Sequence, residues 1–359
     1  MTDNRTESWA TALRDEPAIL VTGAAGFVGF HVAERLLAAG LSVVGFDNLN
    51  AYYDVRLKRA RLVRLAARPG FRFVEGDLAD QAAVDGAFAA AGAPRRVIHL
   101  AAQAGVRHSI DNPHAYAASN LTGFLTVLEA CRRGGAAHLV YASSSSVYGG
   151  NARLPFSTCD PVDHPVSLYA ATKKANELMA HAYCHLYGFP ATGLRFFTVY
   201  GPWGRPDMAY WRFAEAIMAG APIELYNHGA ISRDFTYIDD VVESLVRLIP
   251  AQPAPNPGFD RMTPDPARSW APHRVLNIGR AEPVPVPALI AALERALGRK
   301  AEIRPVPAQP GDVDATAADV ADLEAVTGFV PQVSLEEGVG RFAAWWLEWI
   351  GAGHSMRKA

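Results

Sequence analysis

An α/β fold, with a doubly wound parallel sheet and a smaller C-terminal α/β lobe, is predicted by three features of this 359-residue chain. Short apolar runs alternate with helix-like runs over residues 18–200. A glycine-rich turn, Thr22-Gly23-Ala24-Ala25-Gly26-Phe27-Val28-Gly29, separates the first apolar run from the first helical one. Beyond it the rhythm breaks and proline becomes frequent. Strands that alternate with helices form right-handed βαβ units, which build a parallel sheet covered on both faces.

The elements follow in order. Residues 1–17 read as a polar leader. Ala18–Thr22 is a short apolar strand, and Phe27–Ala39 has helical period with Gly40 as its stop. Leu41–Asp47, Phe71–Glu75, Arg96–Ala101, Ala137–Ala142 and Thr192–Phe197 read as strands two to six. Residues 18–200 thus form a Rossmann-type dinucleotide domain. Residues 201–350 read mainly as a substrate lobe with segments interleaved with the first domain, and 351–359 as a tail. The seven prolines between Pro250 and Pro272 mark a surface loop, read as a flap. Trp345, Trp346 and Trp349, at helical spacing, read as packing or interface residues.

Composition narrows the class. Half of the residues are apolar, enough for a sizeable core. With 34 basic and 36 acidic residues the net charge is −2, so neither a nucleic-acid nor a membrane partner is expected. No apolar run approaches the roughly 18–20 residues of a membrane span. The polar start lacks a signal core. Cys131, Cys159 and Cys184 have no metal-ligand spacing, and three cannot pair completely, so no metal site and a reduced, cytoplasmic setting are expected.

Gly23, Gly26 and Gly29 have the spacing GxxGxxG. Glycine permits a tight turn and close backbone approach, and the following helix N-terminus faces a pyrophosphate. Phe27 and Val28 lie in the same turn. Asp47 closes the next strand, followed by Asn48; a carboxylate there accepts from both ribose hydroxyls and repels a 2′-phosphate, which favours NAD over NADP. Asp77 and Leu78 follow the third strand, where Asp77 can meet the adenine amine. Leu100-Ala101-Ala102-Gln103 follow the fourth, where small residues let backbone run along a cofactor.

Tyr169-Ala170-Ala171-Thr172-Lys173 supplies a base. A free phenol has a pKa of about 10. A lysine one turn along the same helix face, with a nicotinamide's positive charge, favours the phenolate. Ser144, in Ser143-Ser144-Ser145-Ser146-Val147-Tyr148-Gly149, lies at the end of the fifth strand, where open α/β sheets bind ligands. Its hydroxyl can bind the reacting oxygen and share the proton with Tyr169.

With these segments in view, the chain resembles the extended short-chain dehydrogenase/reductase family, and within it the nucleotide-sugar epimerases, from Ile19 to about Phe342. The likeness is carried by Val21–His31, Asp47–Asp54, Ala101–Arg107, Tyr141–Tyr148, Arg195–Ala209 and Arg233–Asp240. The resemblance implies tightly bound NAD, a UDP-sugar substrate and 4-epimerisation through a transient 4-keto sugar that turns over in the cleft. Tyr169 would be the acid and base at O4, Lys173 its partner and nicotinamide-ribose ligand, and Ser144 the supporting hydroxyl. Arg233 would meet the diphosphate, Asp312 would lie near the nucleotide, and Pro222–Tyr226, including Ile223 and Tyr226, would flank the uracil. Thr198 and Ser144–Ser146 would lie near a sugar carboxylate, with Arg107 and Arg205 as further anion contacts. The helices at Pro113–Arg132 and Ser167–Tyr187 would pair across a homodimer.

The serine loop also separates related chemistries. The 4-keto form of a uronate is a β-keto acid, which loses carbon dioxide unless its carboxylate is held in an unreactive orientation; short hydroxyls can hold it there. Related 4,6-dehydratases carry Asp-Glu after the hydroxyl residue, and related decarboxylases carry glutamate before Val-Tyr-Gly. Here those positions are Ser145 and Ser146. The Arg205–Ala209 segment favours an acidic sugar. A neutral-sugar epimerase and a nucleotide-binding regulator without turnover are the competing readings, and the complete Ser144, Tyr169 and Lys173 set argues against the second.

Overall fold

The computed structural model describes residues 8–308 and 314–353. Its central sheet contains β1 (Ile19–Thr22), β2 (Val43–Asp47), β3 (Phe71–Glu75), β4 (Arg96–His99), β5 (His138–Ser144), β6 (Ala191–Phe196) and a late strand, His273–Ile278. The order is late strand–β6–β5–β4–β1–β2–β3, with every pairing parallel. The order reverses between β1 and β4, the switch point at which such sheets open a crevice beyond their carboxyl ends. β1, β2 and β4 are buried at every position, as strands covered on both faces must be. This is the doubly wound, Rossmann-type class.

Helices α1 (Ser8–Thr11), α2 (Phe27–Ala38), α3 (Val55–Ala66), α4 (Gln81–Ala90), α5 (His108–Asp111), α6 (Pro113–Tyr116), α7 (Gly123–Gly134) and α8 (Leu168–Tyr187) belong to this part. Local chemistry sets their ends. Asp80 accepts from Ala82 and Ala83 N–H at the start of α4, Ser167 accepts from Ala170 N–H at the start of α8, and left-handed Gly188 stops α8. Between α6 and α7 the rod passes through a π-helical turn, Ala117–Thr122. That bulge brings Asn120 back to the cleft loop: it accepts from Gln103 N–H at 2.8 Å and donates to Gln103 C=O at 3.0 Å.

The second lobe holds β7 (Thr198–Tyr200), β8 (Pro222–Leu225), β9 (Ser232–Tyr237), β11 (Pro283–Pro285) and β12 (Glu302–Pro305), the late central strand being β10. These make a β11-β9-β7 sheet and a β12-β8 pair. Helices α9 (Ala209–Ala219), α10 (Ile238–Leu248), α11 (Val286–Leu297), α12 (Ala321–Thr327) and α13 (Leu335–Gly351) cover them. β10 lies in the stretch that reads from sequence as mainly lobe, yet it pairs with β6 over six residues.

Two sequence expectations are corrected. The described part of the leader is packed on the core and not merely polar: Trp9 and Leu13 are 3% and 1% exposed, and Arg35 stacks on the Trp9 ring at 4.8 Å. Burial of two large apolar side chains outweighs the polar letters around them. The proline-rich segment is a loop but not a flap over the cleft. Pro272 C=O accepts from Ala191 N–H at the amino end of β6, Trp270 donates to His185 near the end of α8, and none of the segment lines the cavity at the opposite, carboxyl end. Half-buried Trp345 and buried Trp349 pack against Trp203.

Candidate active site

The carboxyl ends of the central strands open into one cavity of about 1140 Å³ shared by both lobes. Its floor is the glycine turn. Gly23 has φ +73°, and a Cβ there would sit 2.7 Å from Ala101 N; a Cβ on Gly26 or Gly29 would sit 2.9 or 2.1 Å from Gly23 O. All three positions therefore exclude side chains, which leaves backbone exposed at the start of α2 with Phe27 and Val28 at the cavity wall. Asp47 is 6% exposed; its Oδ2 accepts from Ala25 N–H at 3.2 Å and its Oδ1 from Leu49 N–H at 2.9 Å. A carboxylate retains further lone pairs for two ribose hydroxyls. Asn48 donates to Asp77 at 2.8 Å, and Leu78, Leu100, Ala101, Ala102 and Gln103 continue the same wall. This cradle fits a dinucleotide.

The side chains expected to react stand beyond it. Ser143 and Ser144 diverge as adjacent strand residues do. Ser143 donates to Glu177 at 2.6 Å in the core. Ser144 lies close enough to Tyr169 for its hydroxyl to lower the phenol pKa, and it accepts from Ser146 Oγ at 2.9 Å and from Ser146 N–H at 3.2 Å. Tyr169 is in the first turn of α8, with the Tyr116 ring edge-on at 6.0 Å. Burial raises its phenol pKa, while the Ser144 hydrogen bond and the Arg205 charge pull it down. Lys173, 2% exposed, donates to Ala142 C=O at 2.9 Å, and burial lowers its pKa to about 8. Beneath, the buried Arg195–Glu177 pair joins β6 to α8, with N···O distances of 2.9 and 3.0 Å, and fixes the helix that carries both groups.

The second lobe supplies the other wall. Thr198, Arg205, Ile223, Tyr226 and Arg233 all line the cavity, as do Ser145, Ser146 and Arg107. The Arg107 guanidinium lies over the Tyr226 ring at 5.3 Å, so the two lobes touch across the opening. Arg233 donates to Ser232 C=O at 2.8 Å. Fully buried Arg61 donates to Ala25 C=O at 2.7 Å, and to the carbonyls of Trp203 and Gly204 at 2.5 and 3.0 Å. One guanidinium thus ties the glycine turn to the segment just before Arg205. Asp312 lies outside the described residues. Among the described residues no group of three or more His, Cys, Asp or Glu could hold a metal ion, and no helix is long and apolar enough to cross a membrane.

Residues 19–258 match the family described as NAD dependent epimerase/dehydratase. The chain belongs to that family. It is 57% identical over 329 residues to an uncharacterized 37.6 kDa protein of Escherichia coli O111:H-, covering 92% of this chain and 98% of that protein. It is 51% identical over 331 residues to a probable UDP-glucuronate 4-epimerase of Rhizobium meliloti, covering 91% and 96%. Among solved structures, it is similar to a UDP-glucuronic acid 4-epimerase from Bacillus cereus in complex with UDP-glucuronic acid and NAD. That match has a TM-score of 0.80 and 30% identity, covering 92% of this chain and 99% of that one.

In this epimerase/dehydratase family member the cavity also contains side chains to which the sequence assigned no role. Lys58 is 5% exposed and its Nζ lies 3.6 Å from Asp47 Oδ1. Tyr52 and Asp207 meet across the cleft at 3.1 Å, although they stand 155 positions apart. Both fall inside the segments that carried the family resemblance, but only the fold reveals their contact.

Proposed function

We propose that the chain is an NAD-dependent UDP-glucuronate 4-epimerase, forming UDP-galacturonate through a transient 4-keto sugar. The observation that carries this reading is one cavity holding the glycine cradle, the Ser144–Tyr169–Lys173 set and Arg205, with serines at 145 and 146. Names of relatives and the ligands of the Bacillus cereus structure support the same substrate.

Bound NAD supplies a reversible hydride acceptor at C4, so no second substrate is consumed. The chain's residues do the rest. Tyr169 takes the O4 proton and later returns it, and Ser144 holds O4 and shares that proton. Lys173, held at Ala142 C=O, keeps positive charge one turn from the phenol. Arg233 faces the diphosphate, while Ile223 and Tyr226 flank the base. Ser144–Ser146, Thr198 and Arg205 hold the sugar carboxylate away from the orientation that expels carbon dioxide. The serines at 145 and 146 leave the loop without the carboxylate that dehydration or decarboxylation uses there.

The exposed apolar side chains Leu125, Leu178, Leu186 and Tyr187 on neighbouring α7 and α8 support a homodimer through these helices. Light scattering giving the mass of one chain would overturn that. Three free cysteines, two of them buried, suit a reduced, cytoplasmic setting.

Incubation of the purified protein with UDP-glucuronate, followed by chromatography, tests the reading. Conversion to UDP-galacturonate without added cofactor is expected. Unchanged UDP-glucuronate beside converted UDP-glucose would overturn the uronate assignment.

A further inference from the structure

Arg205 does not stand alone in the cavity. Asp207 grips it in a fork: Nε reaches Asp207 Oδ1 at 3.1 Å and Nη2 reaches Oδ2 at 2.8 Å, while Nη2 also meets Met208 Sδ at 3.5 Å. A two-point guanidinium–carboxylate pair fixes orientation as well as position. Its Nη1 makes no hydrogen bond among the described residues, and Arg205 lies close enough to Tyr169 for its charge to act on the phenol. Asp207 is in turn held from the opposite wall, where Tyr52 O–H donates to the same Oδ2 at 3.1 Å. Burial and the Asp207 carboxylate keep the Tyr52 phenol protonated, raising its pKa well above the ordinary value.

Tyr52 is itself built in. Its ring packs on His108 at 4.9 Å, and its hydroxyl fills the space beside Gly105, where a Cβ would come within 2.6 Å. The Tyr52 loop follows Asp47 directly: Asp47 accepts from Leu49 N–H, and Asn50 accepts from Lys58 at 3.0 Å. The loop that starts at the ribose side of the cradle therefore carries Tyr52 to Asp207, and through it to the guanidinium beside Tyr169.

We propose that Tyr52 and Asp207 are positioning residues that clamp the Nε–Nη2 edge of Arg205, so that its Nη1 edge is presented to the substrate carboxylate in one fixed direction. The proposal rests on the uronate reading above. In a 4-keto uronate a freed carboxylate breaks the C5–C6 bond. Carbon dioxide leaves, the bond's electron pair passes into the C4 enolate, and a proton adds at C5 to give the UDP-4-ketopentose. A loosened clamp raises that leak relative to epimerisation. The product ratio is independent of how much protein is folded, so a merely structural loss does not move it.

The test uses full-length wild type, Tyr52→Phe, Asp207→Asn and the double variant, each given UDP-glucuronate, with UDP-galacturonate and decarboxylated UDP-pentoses quantified. The decarboxylated fraction is expected to rise roughly twofold to tenfold in Tyr52→Phe, the range for one lost hydrogen bond, and further in Asp207→Asn. The double variant is expected to match Asp207→Asn alone, because Tyr52 acts through Asp207. An unchanged product ratio in Tyr52→Phe and Asp207→Asn overturns the clamp. So do independent, multiplying effects in the double variant. If Asp207→Asn does not fold, Tyr52→Phe carries the test. Wild type that leaves UDP-glucuronate untouched overturns the functional reading itself, which separates the two failures.

Discussion

Tyr169→Phe is expected to lower the epimerisation rate by about 10²–10⁴-fold, the range for a lost acid–base group. Affinity for the UDP-sugar should stay within a few-fold. The substitution deletes one hydroxyl and leaves the ring against Tyr116, so the wall keeps its shape. What disappears is the hydroxyl proposed to exchange the O4 proton; burial raises its pKa, and Ser144 and Arg205 partly offset that rise. Steady-state rates beside calorimetric binding make the comparison. A rate within tenfold of wild type would mean that another group takes the proton, and would remove Tyr169 from the centre of the chemistry.

Gly29→Val should lower the dinucleotide occupancy of the purified protein. The added Cβ would lie 2.1 Å from Gly23 O, and that carbonyl also accepts from Gly26 N–H at 2.8 Å. Both partners are backbone, so relief requires the turn to open. An overpacking cost of about 1–3 kcal/mol corresponds to roughly 5- to 150-fold weaker binding. Gly86→Ala is the control: Gly86 lies within α4 with nothing near its Cβ position, so the change should be neutral or slightly stabilising. Ultraviolet absorbance of the purified variants reads the bound dinucleotide. Full occupancy in Gly29→Val would show that the turn is not the cradle.

Much of this was legible because it is local. A glycine whose Cβ has no room must recur at fixed spacing, and an apolar run covered on both faces must be continuous. The turn at Gly23–Gly29 and β1–β6 therefore appear in the sequence with ends shifted by a few residues. Long-range geometry leaves weaker traces. β10 hides behind seven prolines because its place is set by pairing with β6. Trp9 looks like part of a polar tail until its burial is known. The π-helical turn at Ala117–Thr122 has no signature in periodicity, yet it seats Asn120 against Gln103. Tyr52 and Asp207 meet only because the two lobes close on one cleft.

If C4 is inverted as proposed, its hydrogen passes internally while Tyr169 handles the O4 proton. Proton NMR of UDP-glucuronate incubated with the purified protein in deuterated water tests it most directly. New anomeric and H4 signals of UDP-galacturonate are expected, with hydrogen, not deuterium, retained at C4. Deuterium at C4 of the product, or untouched UDP-glucuronate, would contradict it.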